Sequence, residues 1–273
     1  MLLTVFTRTF YVVNTYHIRK TSCDERAMNV RCTCDENANW AMIKYDFGSH
    51  IAAFTSERDD IVSQDVLLPK LTHSCHVEVV NERAAFPDTD ALITQVPGLW
   101  IGVYSADCVP VLIADKRLNV VAAVHAGWRG TVGGITRAAV ERMKADFGCR
   151  PEDMQAVIGP SISPDAFEVG EEVVMLFRQS AFPDSIIRQV PTAHQASSAK
   201  ELSAACPTTD ARQSSFHIDL WQANRWLLTE AGLQEEQILL TGLCTMGCPD
   251  RFFSARREGY TTGRLISAIC IMQ

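Results

Sequence analysis

The stretch "ADCVPVLIADKRLNVVAAVHAGWRG", residues 106–130, sets one thiol, Cys108, and one imidazole, His125, at the far ends of two apolar runs. Thiolate and neutral imidazole are good ligands for a borderline-soft divalent cation, and side by side they also make a nucleophile and its base. A turn at Asp115 to Asn119 would fold the two runs into adjacent strands and bring both groups to one edge of a sheet. Upstream, in "LPKLTHSCHVEVV", His73 precedes a strand and His76 lies at its start. Two imidazoles and one thiolate give Zn²⁺ three protein ligands and leave a fourth position for water or substrate. Cu²⁺ is the alternative ion, less suited to a Cys/His₂ set that has to hold an activated water.

Two other readings use the same residues. Cys108 and His125 could act without metal as nucleophile and general base, with backbone N–H groups of "HAGWRG" facing an oxyanion. One cysteine among ten and two histidines among seven are also compatible with ordinary buried side chains. Cationic groups flank the candidates: Arg129 follows His125, Arg256 and Arg257 stand in "SARREG", and Arg264 in "TTGRL". A guanidinium beside a glycine turn can grip phosphate or carboxylate through two parallel hydrogen bonds. Cys244 and Cys248 in "CTMGC" read as core thiols near a turn, and Cys32 with Cys34 forms a lone CxC without a second pair.

The elements that must position these groups alternate between short apolar runs and helical patterns. "HVEVV" alternates at period two, while "LWIGVYSA", "VPVLIAD" and "NVVAAVHA" are nearly all apolar, as strands covered on both faces must be. After the glycine turn of "HAGWRG", Ile135, Ala138, Ala139, Arg142, Met143 and Phe147 fall at helical spacing, with Gly148 placed to cap the end. "QAVIG" and "AFEVG" read as strands and "EEVVMLFRQ" as a helix with an acidic first turn. Residues 180–215 read as a long polar connection, and Leu220, Ala223, Leu227, Leu228 and Ala231 share one face of a later helix ended by Gly232. "QILLTGLCT" and "RLISAICIM" supply closing strands, and the order of elements predicts an α+β layered domain.

Residues 1–41 show neither periodicity and predict a tail or a start-site extension, so a single catalytic domain over residues 42–273 is expected. A formal charge of −7, without a basic block, argues against a nucleic-acid partner. No run of about 18 apolar residues is present, which argues against a membrane span. Arg8 interrupts the apolar start and no small-residue cleavage site follows it, so export is not expected. Ten irregularly spaced cysteines in a chain of 273 residues fit reduced thiols and a cytoplasmic protein.

The segments "ADCVPVLIAD", "AAVHAGWRGT", "IGPSISPDAFEVGEEV", "IDLWQANRWLL", "CTMG" and "RFFSARREGYTTGR", in this order, resemble the multicopper polyphenol oxidase family, also called the laccase-domain, YfiH or PgeF family. The resemblance runs from about Met42 to Gln273. It implies an αββα domain with two mixed sheets between helical layers, and a Zn²⁺ site on His73, Cys108 and His125. "LPKLTH" stands where the family has Pro-x-Gln-x-His, and His76 falls three positions late. It also implies phosphorolysis of adenosine, inosine, guanosine or methylthioadenosine, deamination of adenosine, and a small-molecule partner set of purine nucleoside and phosphate. Bacterial members are further linked to hydrolytic editing of peptidoglycan precursors, and the older laccase label implies copper oxidation of phenols. Arg58 matches a family arginine, so Cys108, His125 and Arg58 become the expected catalytic residues and Arg58, Arg129 and Arg264 the expected substrate-binding ones. Leu71 replaces the usual glutamine, and "FTSERDDIVSQDVLLPK" is much shorter than the corresponding family segment. Those departures bear on the substrate rather than on the metal, and a metal-binding domain without turnover is the third function class.

Overall fold

The computed structural model describes residues 30–32, 42–191 and 214–273. Two sheets stack face to face. One is antiparallel and five-stranded, in the order β1 (Val30–Cys32), β2 (Ile43–Asp46), β3 (Ile51–Thr55), β14 (Leu265–Ile271), β6 (Ile101–Ser105). The other is mixed and six-stranded, in the order β13 (Ile238–Leu240), β9 (Met154–Ile158), β7 (Val109–Asp115), β8 (Val120–Ala126), β5 (Ala91–Thr94), β4 (Val77–Val79). The α+β class expected from the sequence is the one observed, with one mixed and one antiparallel sheet where two mixed sheets were expected.

The central strands explain why their sequence is apolar throughout. Every residue of β7 and β8 is buried. Successive side chains of a strand point to opposite faces, so Val111, Ile113, Ala122 and Val124 enter the core under the helices. Leu112, Ala114, Val121 and Ala123 enter the core between the sheets, against Ile43, Tyr45, Ile101 and Val103. β2 has one wet face, and its alternation leaves Lys44 and Asp46 exposed.

Helices α1 (Trp128–Gly133), α2 (Ile135–Phe147), α3 (Glu171–Gln179) and α4 (Leu220–Glu230) supply side chains to the core on the mixed sheet. Gly148 caps α2 at φ 70°, its N–H donating to Lys144 O. Asp219 caps α4 by accepting from Gln222 N at 2.9 Å. A buried polar network ties three helices together: Thr136 Oγ donates to Asn224 Oδ1 at 2.6 Å, and Asn224 Nδ2 donates to Thr131 Oγ at 3.1 Å. A fifth helix, α5 (Ala255–Glu258), is a single turn capped by Ser254.

Three expectations change. "HAGWRG" is a glycine turn only at Gly127: the helix begins at Trp128, because β8 delivers the chain onto the sheet with Gly130 and Thr131 already buried, and Gly134 at φ 82° separates α1 from α2. The polar connection contains β11 (Ile187–Pro191), paired with β12 (Ser214–Ile218) in a small antiparallel sheet that β10 (Glu168–Val169) completes. Ile218 of that sheet and Ile186, directly before β11, are both buried, and residues 192–213 lie outside the described set. Of the expected tail, Val30–Cys32 forms the edge strand β1 on β2, and the other residues up to 41 lie outside the described set. Among the described residues no helix is long and apolar enough to cross a membrane.

Candidate metal centre

Strand register brings the candidate residues to one end of the mixed sheet. Pro110 pairs with His125 across β7 and β8, so Cys108, two residues before Pro110, lies beside the end of β8. Val124 pairs with Ala91 across β8 and β5, which puts Asp90 against His125, and His125 N–H donates to Asp90 O at 2.8 Å. Because β4 runs parallel to β5, the segment leading into β4 arrives at the same end, carrying His73. One possible ligand atom from each of His73, Cys108 and His125 lies within 4.8 Å of the others. Cys108 Sγ is 3.8 Å from His73 Nε2, and the two imidazole rings meet edge to face with centroids 5.0 Å apart. His125 is buried, Cys108 half-buried and His73 exposed, so the group opens to solvent on the His73 side.

Local backbone geometry serves this convergence. His73 adopts φ 61° and Asp107, next to Cys108, φ 86°, both in the left-handed region that side chains other than glycine rarely occupy. The Asp107 carboxylate is held by Thr245 Oγ at 2.6 Å, Ser254 Oγ at 3.0 Å and Arg256 N at 2.7 Å. These bonds lock the Cys108 turn to the two C-terminal loops. At Gly127 the need is space: a Cβ there would stand 2.7 Å from His73 Cδ2 and 3.1 Å from Cys108 Sγ.

The electrostatics favour positive charge between two acidic groups. Burial acts to raise the Cys108 thiol, but the facing His125 charge and hydrogen bonds from His125 and His73 bring it down to about 6. Burial acts to lower His125, yet the Cys108 charge and the Asp90 hydrogen bond raise it to about 9. Asp90, desolvated but hydrogen-bonded by His125, Ser74 and Thr72, is held well below the usual carboxylate range. His125 Nδ1 lies 2.8 Å from Asp90 Oδ1, which leaves Nε2 as the ring atom for Cys108 and His73. A thiolate, two imidazoles and a carboxylate behind one of them form a donor set that fits a divalent cation.

The other expected residues separate. His76 turns away, with Nδ1 3.1 Å from Asp88 O and Nε2 3.0 Å from Glu78. Arg58 is engaged with the C-terminal loop: it donates to Phe252 O at 3.1 Å, pairs with Glu258 and stacks 4.4 Å over Phe253. Arg264 donates to the carbonyls of Tyr260, Thr262 and Gly263 in its own turn. Arg256 donates to Glu168 O, and Arg257 to Thr245 O, Met246 O and Phe252 O. Arg129 is exposed, stacks 4.2 Å over Trp128, and has no carboxylate partner among the described residues. Cys244 Sγ accepts from Ser163 N at 3.4 Å and Gly247 N at 3.3 Å, and Cys248 packs on the core between the sheets, so neither joins the group. Cys34 lies outside the described residues. Sequence reasoning passed over Asp90, Asp107 and Gly127. The available signals were an acidic residue directly before Ala91 and before Cys108, and a glycine two positions after His125.

The sequence profile of the multi-copper polyphenol oxidoreductase laccase family matches residues 50–272. The chain is 37% identical over 222 residues to the purine nucleoside phosphorylase of Bacteroides thetaiotaomicron, covering 77% of this chain and 74% of that one. It is 39% identical over 217 residues to adenosine deaminase RL5 of an unknown prokaryotic organism, covering 75% and 74%. Among solved structures, YfiH of Bacillus licheniformis superposes with a TM-score of 0.73 at 24% identity over 89% of this chain and 98% of that one, a likeness of fold. Motif order, fold and matched length together establish that the chain belongs to the multi-copper polyphenol oxidoreductase laccase family.

Proposed function

We propose that this protein is a zinc-dependent enzyme of purine nucleosides, with His73, Cys108 and His125 as the metal ligands. The observation that carries the reading is the convergence of one thiol and two imidazoles at one sheet end, with the carboxylate of Asp90 behind the buried ring. The names borne by relatives supply the substrate class: phosphorolysis in one case, adenosine deamination in another. When bound, Zn²⁺ would supply Lewis-acid polarisation and lower the pKa of water at an open fourth position, where Cu²⁺ is the alternative ion.

The chain's own groups do the rest. Cys108 as thiolate offsets part of the cation's charge, and Asp90 keeps the His125 proton on Nδ1, so Nε2 is free to donate its lone pair. Arg129, held over Trp128 without a carboxylate partner among the described residues, is the guanidinium available to grip phosphate or a substrate oxygen. Arg58 and Arg264, engaged in loop bonds, act by shaping the C-terminal segment. In phosphorolysis a phosphate oxygen forms the bond to C1′ as the bond from C1′ to the base breaks, and the base leaves with the electron pair and takes a proton.

A specific feature favours a second reading, a Cys–His hydrolase or amidase of the kind that would edit peptidoglycan precursors. The Cys108 thiol is drawn down toward neutrality beside an imidazole that a buried aspartate orients, as in a nucleophile–base–carboxylate triad. One experiment separates the two. Protein purified without chelator is assayed against adenosine, inosine, guanosine and methylthioadenosine, with and without phosphate, before and after chelation and zinc restoration. Nucleoside turnover that chelation abolishes and zinc restores supports the zinc enzyme. Activity insensitive to chelation but lost on thiol alkylation supports the hydrolase. Zinc binding without turnover of any substrate leaves a metal-binding domain.

A further inference from the structure

We propose that Asp90 is the positioning residue for both histidines, so that one buried carboxylate assembles the two imidazole donors before any ion arrives. The proposal rests on reading His73, Cys108 and His125 as a metal site. Asp90 is fully buried and stands directly before β5. Its Oδ1 takes His125 Nδ1 at 2.8 Å and His73 N–H at 3.0 Å. Its Oδ2 accepts Ser74 N–H and Ser74 O–H, each at 2.8 Å, Thr72 N–H at 3.2 Å and the Thr72 hydroxyl at 3.4 Å. Its backbone closes the same unit, since the carbonyl accepts His125 N–H at 2.8 Å and the N–H donates to His76 O at 3.0 Å.

Three successive amides, those of Thr72, His73 and Ser74, therefore point at one carboxylate and wrap it as backbone nests wrap anions. The left-handed φ of 61° at His73 belongs to this wrapping, and it holds the His73 ring toward Cys108. Oδ1 thus secures the ring together with the His73 amide, and Oδ2 the loop on either side of it. Asparagine, the nearest isostere, cannot serve both. If its amide nitrogen faces Thr72 and Ser74, donors oppose donors and the loop loses its anchor. If the nitrogen faces His125 instead, the ring has to accept at Nδ1 and carry its proton on Nε2, the atom required for the ion.

The test compares wild type, Asp90→Asn and Ser74→Ala in zinc affinity, by competition with a chromophoric chelator. It also reads the proton position on the histidine rings by long-range ¹H–¹⁵N correlation in metal-free and zinc-loaded protein. Asp90→Asn should lose about 10- to 100-fold in affinity, the range for partners behind metal ligands. Ser74→Ala removes the hydroxyl that bonds Asp90 Oδ2, Asp88 O and His76 N–H, leaves His125 held, and should lose less than about tenfold. In zinc-loaded wild type the His125 proton should sit on Nδ1; in Asp90→Asn the neutral ring should carry it on Nε2. Folded Asp90→Asn that binds zinc as wild type does would overturn the proposal while leaving the metal reading intact. Wild type that takes up no zinc would overturn the metal reading and the proposal with it. Where Asp90→Asn does not fold, the wild-type spectrum decides: a bare Nδ1, or coordination through Nδ1, contradicts the role, and a protonated Nδ1 with zinc on Nε2 supports it.

Discussion

At the scale of single residues, Gly127 governs how closely the three donors approach. Its φ of −64° is open to any residue, so glycine is required there for room alone. Gly127→Ala should fold normally yet push the His73 ring and the Cys108 sulfur apart, lowering zinc content while far-UV circular dichroism stays unchanged. Arg129 makes the complementary case. It lies outside the donor set, so Arg129→Ala should retain full zinc content and raise KM for phosphate about tenfold or more, the loss of a charge-assisted contact. An unchanged phosphate KM would remove Arg129 from the substrate site.

At the scale of elements, the helical layer depends on a polar unit inside an apolar core. Asn224 on α4 binds Thr136 on α2, Thr131 on α1 and the Leu220 carbonyl, satisfying both of its own ends. Asn224→Ala should destabilise by about 2–4 kcal/mol in urea unfolding, through stranded hydroxyls and a cavity. Since α1 leads directly out of His125, metal affinity should fall with it. The same elements show what the sequence could reveal. β7 and β8 were legible because burial on both faces leaves Asp115 and His125 as the polar residues of two otherwise apolar runs, and α2 and α4 because their apolar positions follow the helical period. α1 was not, since its six residues carry two internal or terminal glycines and its helicity comes from what it packs on. β11 and β12 were hidden by a long polar surround and by their short, half-wet pairing.

At the scale of the whole molecule, the candidate metal ligands come from three separated segments that strand register unites. Their types were readable in the chain, and the resemblance assigned His73 over His76. In the structure His76 is turned to Asp88 and Glu78, while the His73 loop is held by Asp90 with the ring toward Cys108. The engagement of the arginines was not readable, because sequence cannot tell a free guanidinium from one already bonded to loop carbonyls, as Arg58 and Arg264 are. The segment before Met42 contributes one three-residue edge strand to the described fold, and the family match starts at residue 50. A chain beginning at Met42 should therefore unfold cooperatively with only a small drop in Tm and unchanged zinc content. Insolubility or a broadened transition would give the segment a larger part in the core.

The central claim is that Cys108 completes a metal site together with His73 and His125. Elemental analysis of protein purified without chelator, wild type beside Cys108→Ser, tests it most directly. About one zinc per chain in wild type and a small fraction of that in the variant is the predicted result, because two imidazoles alone hold the ion poorly. Metal-free wild type, or equal zinc in both proteins, would contradict it.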